Sequence, residues 1–424
     1  MLTTLKNAFK IKEIRQKILF TLGMLVVIRI GSQLPVPGVD TKFFSQWFAQ
    51  QTGGAFSFFD AITGGSFLNM SILALNINPY ITSSIIMQLL TIAIPKLEEM
   101  QRDGEDGRKK MVAITRYVTV ALALIQSTAM AIGFGRQGYL IEFNALNVIT
   151  TITALTAGSA FLMWVGERIT EKGIGNGISI VLVINIISRL PQDLSNLFEQ
   201  FVFGKAPATA ILAVVIILND GVRKIPVQYA KKMQGRKMVG GQTSNIPLKV
   251  NTSGVIPIIF AQSIMQFPII ICSFIGYNGT GVWAEILKGL NSGYWCKPSQ
   301  PIYSLGLLLY IVLIVFFAYF YTSITFNPLM IADNMKKQGG FIPGIRPGKP
   351  TSDYLNKIQN YIVFIGAIGL IIVSVIPYFF NGVFGASVSF GGTSLIIIVS
   401  VVLETMKQVE SQMLVRNYKG FLED

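Results

Sequence analysis

The chain has 424 residues, of which 51% are hydrophobic and only 13% are charged, and its mean hydropathy is +0.56. This composition is far more apolar than that of a soluble protein of the same length, so a polytopic membrane protein is predicted. The formal net charge is +14 and there is no histidine. The two cysteines, Cys272 and Cys296, have no spacing that is typical of a metal or redox site.

Ten apolar segments follow one another along the chain, and most approach the roughly 20 residues that a helix needs to cross the hydrocarbon core. They lie near residues 18–34, 71–94, 111–134, 148–167, 174–190, 208–219, 253–276, 302–326, 358–380 and 391–407. The first has no small-residue cleavage site and is therefore expected to be an integral span. The sixth is too short, so it either tilts through a thinned bilayer or lacks residues.

The apolar stretch from residue 55 to residue 95 is interrupted by Gly64 and Gly65 and again by the Asn-Ile-Asn-Pro at 76–79. A backbone group that a break leaves without a partner costs several kcal/mol or so in hydrocarbon. The break is therefore expected to face protein or a water-filled cavity. This pattern suggests a passage through the membrane rather than a simple anchor.

Basic residues are concentrated on one side of the predicted topology. They lie at residues 6–17, 96–110, 223–249 and 336–357, whereas the other loops hold about six in all. The bias predicts that both termini are cytoplasmic. The loops at 220–249 and 331–357 are longer and more basic than topology requires, so they are either the ordinary positive-inside signal or docking surfaces for an anionic or large soluble partner.

Motifs for enzymatic chemistry are missing from the sequence. It has no GxxxxGK[ST] motif and no Ser or Cys paired with a plausible base, and the glycines at 173–177 are better explained by a tight cytoplasmic hairpin between two spans. We therefore expect no enzyme, no cofactor and no metal. Charged residues sit almost wholly in loops or at span ends. Arg29 is the main exception, and either it snorkels to the interface or it has a partner on a neighbouring helix.

Motifs along nearly the whole chain resemble those of the SecY family, the channel subunits of the bacterial Sec translocon. They are Arg29–Ser32, Pro35–Asp40, Asn78–Leu90, Gly173–Ile180, Pro226–Ala230, Pro247–Asn251, Phe326–Pro328, Ala332–Asn334, Phe341–Gly348 and Phe390–Ser394. The resemblance implies an all-α protein of ten transmembrane helices. It also implies two pseudo-symmetric inverted halves, residues 1–192 and 193–424, around a central hourglass pore.

The resemblance also implies a plug, a short half-helix at about residues 55–69 that fills the outer funnel. It would contain Phe58, Phe59, Asp60, Gly64 and Gly65. Glycines are suitable at a joint that must swing, because they leave few side chains to repack. The alternative is an ordinary re-entrant loop.

The constriction of the pore is, by the same resemblance, a ring of aliphatic side chains. Its members would be Ile77, Ile81, Leu182, Ile256, Ile259 and Ile397. An apolar ring dewets a narrow neck and blocks ions, yet it can part around an unfolded chain. Without the resemblance each of these residues would be interpreted as lipid-facing or as ordinary packing.

A lateral gate toward lipid is implied between the second and third spans and the seventh and eighth. It would include Ser83, Ser84 and Gln88 facing Asn251, Thr252, Gln262 and Ser263. Hydrogen bonds between such groups are worth about 0.6 to 2 kcal/mol each in a membrane, enough to hold a seam that a signal sequence can open. The alternative is ordinary polar packing between helices.

The family implies that the basic loops bind the SecA motor and the ribosome. The expected docking residues are Arg223, Lys224, Arg236, Lys237 and, above all, Arg346. SecE, SecG, signal sequences, translocating chains and membrane lipids are the other expected partners, in the bacterial cytoplasmic membrane. The leading hypothesis is a protein-conducting channel, and the alternative is a secondary transporter of small solutes with broken helices.

Overall fold

The computed structural model is mostly helical, with a small β-sheet inserted between helices. It describes residues 8–41, 43–44, 63–136, 138–188, 221–229, 232–234, 237–239, 243–275, 281–384 and 392–420. The predicted sixth span, the boundary between the predicted halves and Phe58, Phe59, Asp60 and Arg236 lie outside the described residues.

The N-terminal part of the described chain contains six helices. They are α1 (Lys12–Gly31), α2 (Asn78–Ala93), α3 (Pro95–Arg102), α4 (Gly104–Arg136), α5 (Ala145–Lys172) and α6 (Gly177–Ser188). Pro79 and Pro95 lie in the first turns of α2 and α3, where a missing N–H breaks no helical hydrogen bond. The chain bends by 106° between Asn78–Thr91 and Pro95–Gln101.

The turn between α5 and α6 confirms the predicted hairpin in the glycine-rich segment. Gly175 has a φ of +84°, a conformation that glycine adopts without strain. The side-chain oxygen of Asn176 accepts hydrogen bonds from the N–H groups of Ile178 and Ser179 and so caps α6. The Gly177 N–H donates to Thr170 Oγ1 at 2.9 Å, which ties the start of α6 to the end of α5.

The basic loop predicted at 220–249 contains β-strands, which the sequence analysis did not predict. They are β1 (Val222–Tyr229), β2 (Lys232–Gln234), β3 (Lys237–Val239) and β4 (Thr243–Lys249), and a fifth strand, β5 (Gly340–Phe341), comes later in the chain. The main sheet is antiparallel in the order β4-β1-β5, with Val222 opposite Lys249. Ile225 and Val227 are buried while Lys224 and Pro226, which alternate with them, are exposed, as expected for a strand with one covered face. Arg223, near the start of β1, is also exposed.

The C-terminal part of the chain is helical again. Its helices are α7 (Ile256–Ile275), α8 (Val282–Leu290), α9 (Leu305–Thr325), α10 (Pro328–Lys337), α11 (Lys349–Phe384) and α12 (Gly392–Gly420). Two short 3₁₀ turns, Ser292–Tyr294 and Pro301–Ser304, precede α9. Asn327 caps α10, because its side-chain oxygen accepts from the Met330 N–H at 3.2 Å.

Within the described residues, a helix occupies nine of the ten predicted apolar segments. Four helical stretches there are long and apolar enough to cross a membrane: Gly104–Arg136, Ala145–Lys172, Pro301–Lys337 and Lys349–Ile376. The bent pair α2 and α3 would make a fifth, while α6 and the apolar start of α7 are shorter. The second predicted segment was wrong at its start, because residues 71–77 are turns rather than helix.

Chain contacts divide the protein into two compact units, which we describe separately. The first contains α1 to α6 and the ends of α7 and α12, and the second contains the sheet, most of α7, and α9 to α11. A cluster of Phe44, Phe67, Phe134 and Tyr139 is at the core of the first unit. In the second unit, Ile225 and Val227 of the sheet pack in one buried cluster with Leu355 of α11.

Candidate functional site

The root of the predicted plug, residues 63–65, is attached to two helices of the first unit. The carbonyl oxygen of Gly64 accepts hydrogen bonds from Arg29 Nη1 of α1 and from Ser188 Oγ of α6, both at 3.4 Å. Gly64 and Gly65 have φ angles of +65° and +83°. A Cβ on Gly64 would collide with the carbonyl of Asn185, whereas a Cβ on Gly65 would meet open space.

Arg29 therefore has a protein partner, which favours the second of its two interpretations. The partner is a backbone carbonyl of the glycine turn and not a side chain on a neighbouring helix. A guanidinium that binds a carbonyl in this way keeps a charge inside the first unit and gives the turn a fixed position.

The non-helical segment before α2 is held by buried polar groups that the sequence analysis did not single out. Asn185 Nδ2 of α6 donates to Asn76 Oδ1 at 3.0 Å, and Ser159 Oγ of α5 donates to the Asn76 carbonyl at 3.1 Å. Asn76 and Asn185 are 1% and 2% exposed. The positive φ of Asn76, 53°, lies in the turn two residues before Asn78, where α2 begins. Both oxygens of Asn76, within the break of the second predicted span, are thus bonded to protein, which lowers the cost of the break in hydrocarbon.

An ion pair between two of the predicted spans was not singled out from the sequence. Arg116 of α4 lies inside the predicted third span, and its Nε donates to Glu167 Oε1 of α5 at 2.7 Å. The carbonyl oxygen of the neighbouring Thr115 accepts a hydrogen bond from Ser83 Oγ of α2 at 2.8 Å. These contacts fix α2, α4 and α5 against one another.

The predicted ring residues fall in both units. Ile77, Ile81 and Leu182 belong to the first, and Ile256, Ile259 and Ile397 to the second. Ile77, Leu182 and Ile397 are buried, while the other three are half-buried. The Ile81 N–H donates to the Ile77 carbonyl, so this pair follows one helical turn as expected.

Some of the predicted gate residues are buried and hydrogen-bonded within the protein, and others are exposed. Ser83 is buried, whereas Gln88, one turn beyond Ser84 on α2, is exposed. In the second unit, Gln262 is buried: its amide nitrogen donates to the Tyr378 hydroxyl at 2.9 Å and its amide oxygen accepts from the Tyr310 hydroxyl at 3.4 Å. Of the remaining gate residues in that unit, Asn251 is buried and Ser263 is exposed. The Thr252 hydroxyl donates a hydrogen bond to the Lys249 carbonyl.

The predicted docking residues that the structure describes belong to the second unit. Arg223 and Lys224 are exposed on β1, and Lys237 is in β3. Arg346 is exposed in the turn between β5 and α11, where Thr351 Oγ1 donates to its carbonyl at 2.8 Å. Gly344 and Gly348 have φ angles of +83° and +101°, so the turn that presents Arg346 depends on its glycines.

Comparison with known proteins gives the family. A model of the SecY family matches residues 71–406. The chain is 44% identical to the protein translocase subunit SecY of Streptomyces galbus and 41% identical to that of Mycobacterium tuberculosis, over the full length of both chains in each case. The chain belongs to the SecY family.

Solved structures of channel proteins share the fold. A protein conducting channel covers 94% of this chain and 92% of its own, with 19% identity and a TM-score of 0.63. Sec61 in a canine ribosome-channel complex from the endoplasmic reticulum also covers 94% and 92%, with 18% identity and a TM-score of 0.60. The SecY/Sec61 architecture, a helical membrane protein with several spans, is thereby confirmed.

The matched range of the SecY model includes some predicted sites and not others. It begins at Ser71 and therefore contains all the ring, gate and docking residues, whereas the plug range 55–69 precedes it. Family membership supports a SecY channel over the solute transporter that was the alternative.

Proposed function

We propose that this SecY protein is the central subunit of a protein-conducting channel, which passes unfolded secretory chains across the membrane and releases transmembrane segments sideways. The observation that carries the proposal is the full-length similarity to protein translocase subunits, at 44% identity. The chain hydrolyses nothing itself, so SecA or the translating ribosome supplies the energy. SecE and SecG complete the complex in the bacterial cytoplasmic membrane.

The proposed channel has ten spans in two inverted halves, residues 1–192 and 193–424, with both termini in the cytoplasm. Support comes from the nine predicted segments in which the described residues contain a helix. The basic loops on one side support the orientation.

The pore is closed by the six ring residues and by the plug. Ile77, buried at the start of α2, and Ile81 one turn later place two apolar side chains directly after the break. An apolar constriction excludes hydrated ions without offering a binding site to the passing chain. The Gly64 carbonyl, bonded to Arg29 and Ser188, is the fixed base from which the plug moves.

The lateral gate opens between two groups of helices that are each held internally. The Ser83 hydroxyl is hydrogen-bonded to the Thr115 carbonyl of α4, and the Gln262 side chain is hydrogen-bonded to Tyr310 of α9 and Tyr378 of α11. These bonds stabilise the helices within each of the two groups. The more accessible residues Ser84, Gln88, Thr252 and Ser263 form the seam that a signal sequence parts.

SecA and the ribosome dock on the exposed basic residues of the sheet and of the following turn. Arg223 and Lys224 are exposed near the start of β1, and Arg346 lies on a turn with a defined backbone. Their charge suits both acidic protein patches and ribosomal RNA.

Reconstitution tests the function against its alternative. The chain, purified with its SecE and SecG partners, is placed in vesicles with SecA, ATP and a secretory precursor, and the precursor is assayed for protection from protease. Protection that requires this chain supports the channel. Saturable uptake of a small solute without precursor transport would refute it.

A further inference from the structure

Helix α8 (Val282–Leu290) has one apolar face and one polar face. At about 100° per residue, its apolar side chains fall within an arc of about 140°. These residues are Val282, Trp283, Ile286, Leu287 and Leu290. Glu285 and Lys288 lie on the opposite side of the helix.

The described residues cover the apolar face of α8 only in part, since Leu287 and Leu290 are half-buried. No residue of α8 is buried, and Val282, Trp283 and Ile286 are 80%, 48% and 45% exposed. A helix of nine residues is too short to be stable in water by itself, so most of its stability must come from burial of its apolar face. An apolar arc that the described residues leave largely exposed requires another apolar environment.

The end of α8 is fixed at the first turn of α9. Trp295 Nε1 donates to the Gly289 carbonyl at 2.8 Å, and the same carbonyl packs so closely on Gly306 that a Cβ there would collide with it. Since α9 begins at Leu305, this contact places α8 at one boundary of a membrane-spanning helix. The sheet follows the other end of α9, so the two features lie at opposite ends of that span.

An exposed apolar stripe on α9 begins at the same level. It consists of Leu305, Leu308, Leu309, Val312 and Phe316, which are 44% to 67% exposed. In a helix that spans the bilayer, such a stripe faces lipid. Ile302, just before α9, is also 69% exposed.

We propose that α8 is an interfacial helix that lies on the bilayer with its apolar arc inserted between the lipid head groups and the acyl chains. Trp283 is suited to this depth, because an indole ring is favoured where one end is apolar and the other is wet. Glu285 and Lys288 then face water. Because the end of α8 is fixed to the first turn of α9, where the lipid-facing stripe begins, a lipid surface is favoured over a protein partner or a second copy of the chain.

Spin labels on the full chain, purified with its natural subunits and reconstituted in vesicles of phosphatidylethanolamine and phosphatidylglycerol, test the proposal. The background carries Cys272→Ala and Cys296→Ser, which remove both free thiols. A single cysteine is then placed at Ile286→Cys on the apolar arc, at Glu285→Cys as the matched control on the same turn, or at Leu308→Cys as a lipid-facing reference. Collisions of each label with oxygen and with a water-soluble nickel chelate are measured.

The label at Ile286 is expected to collide with the nickel chelate several-fold less often than the label at Glu285, and to collide with oxygen nearly as often as the label at Leu308. Equal access of the chelate to positions 285 and 286 would overturn the proposal, because the arc would then face water. An immobilised label at 286 that is shielded from both reagents would also overturn it, because a protein partner or second copy would then cover α8.

Discussion

Asn185 of α6 donates its side-chain amide to the side-chain oxygen of Asn76 at 3.0 Å, inside a region where both residues are almost fully buried. The bond joins the turn before α2 to a helix that is distant in sequence. Together with the bond from Ser159, it satisfies both oxygens of Asn76 within the protein, which lowers the cost of a break in an apolar segment.

The first prediction concerns this asparagine pair. In a double-mutant cycle of Asn76→Ala and Asn185→Ala, we expect a coupling energy of about 0.6 to 2 kcal/mol, because the two side chains bond directly. The free energy of unfolding in mixed detergent micelles measures it. Asn185→Ala paired with Ser84→Ala is the control. A coupling no larger than that control would show that the Asn76 to Asn185 bond contributes nothing.

The second prediction compares two neighbouring glycines at the root of the plug. Both have a positive φ, so alanine costs about 1 to 2 kcal/mol of backbone strain at either position. Only at position 64 does the new Cβ also strike the Asn185 carbonyl. Gly64→Ala is therefore expected to displace the plug and to raise the resting ion conductance of reconstituted vesicles well above that of Gly65→Ala. Equal conductance of the two variants would show that the seal does not depend on the close contact between Gly64 and Asn185.

The third prediction concerns the ring. Ile81→Asn and Ile259→Asn are each expected to make the resting channel leak ions, because a polar side chain wets the apolar neck. Ile125→Asn on the exposed face of α4, where the isoleucine is 64% exposed, is the matched control. Single-channel recordings in planar bilayers report the conductance. Background conductance in both ring variants would place the seal elsewhere.

The fourth prediction concerns motor coupling. Arg346→Glu is expected to abolish SecA-dependent transport while leaving thermal unfolding unchanged, because the side chain is exposed and the turn is held by the Arg346 carbonyl, which the substitution retains. Lys349→Glu, an exposed charge reversal at the start of α11, should retain most of the activity. Transport of precursor into vesicles measures both. Similar loss in the two variants would indicate a general effect of charge and not a specific role for Arg346.

Hydropathy predicted the helices well because a membrane span must be long, apolar and internally hydrogen-bonded. It failed at the start of the second span, where residues 71–77 are as apolar as a helix but are turns. There the conformation depends on the tertiary contacts of Asn76 and not on composition. The strands in the loop at 220–249 were missed although Ile225 and Val227 alternate with polar neighbours, because two prolines and many charges favoured a loop.

The site was predicted through motifs more than through geometry. The family resemblance implied roles for Gly64, Ser83 and Gln262, and the structure gives each a specific hydrogen-bond partner. Asn185 and the Arg116 to Glu167 pair were missed, since a single polar residue in an apolar segment does not reveal its partner in sequence. The only available signal for Arg116 was a charge inside a predicted span.

Crosslinking of a stalled secretory chain tests whether a polypeptide passes the predicted ring. Single cysteines at Ile81→Cys and Ile259→Cys, with the natural thiols removed, are expected to form disulfides with a cysteine in the stalled chain. Tyr117→Cys on α4, where the tyrosine is 77% exposed, should form none. Crosslinks at both ring positions and none at 117 are the predicted result. The absence of crosslinks at Ile81 and Ile259 while the chain is stalled in the complex would contradict the account.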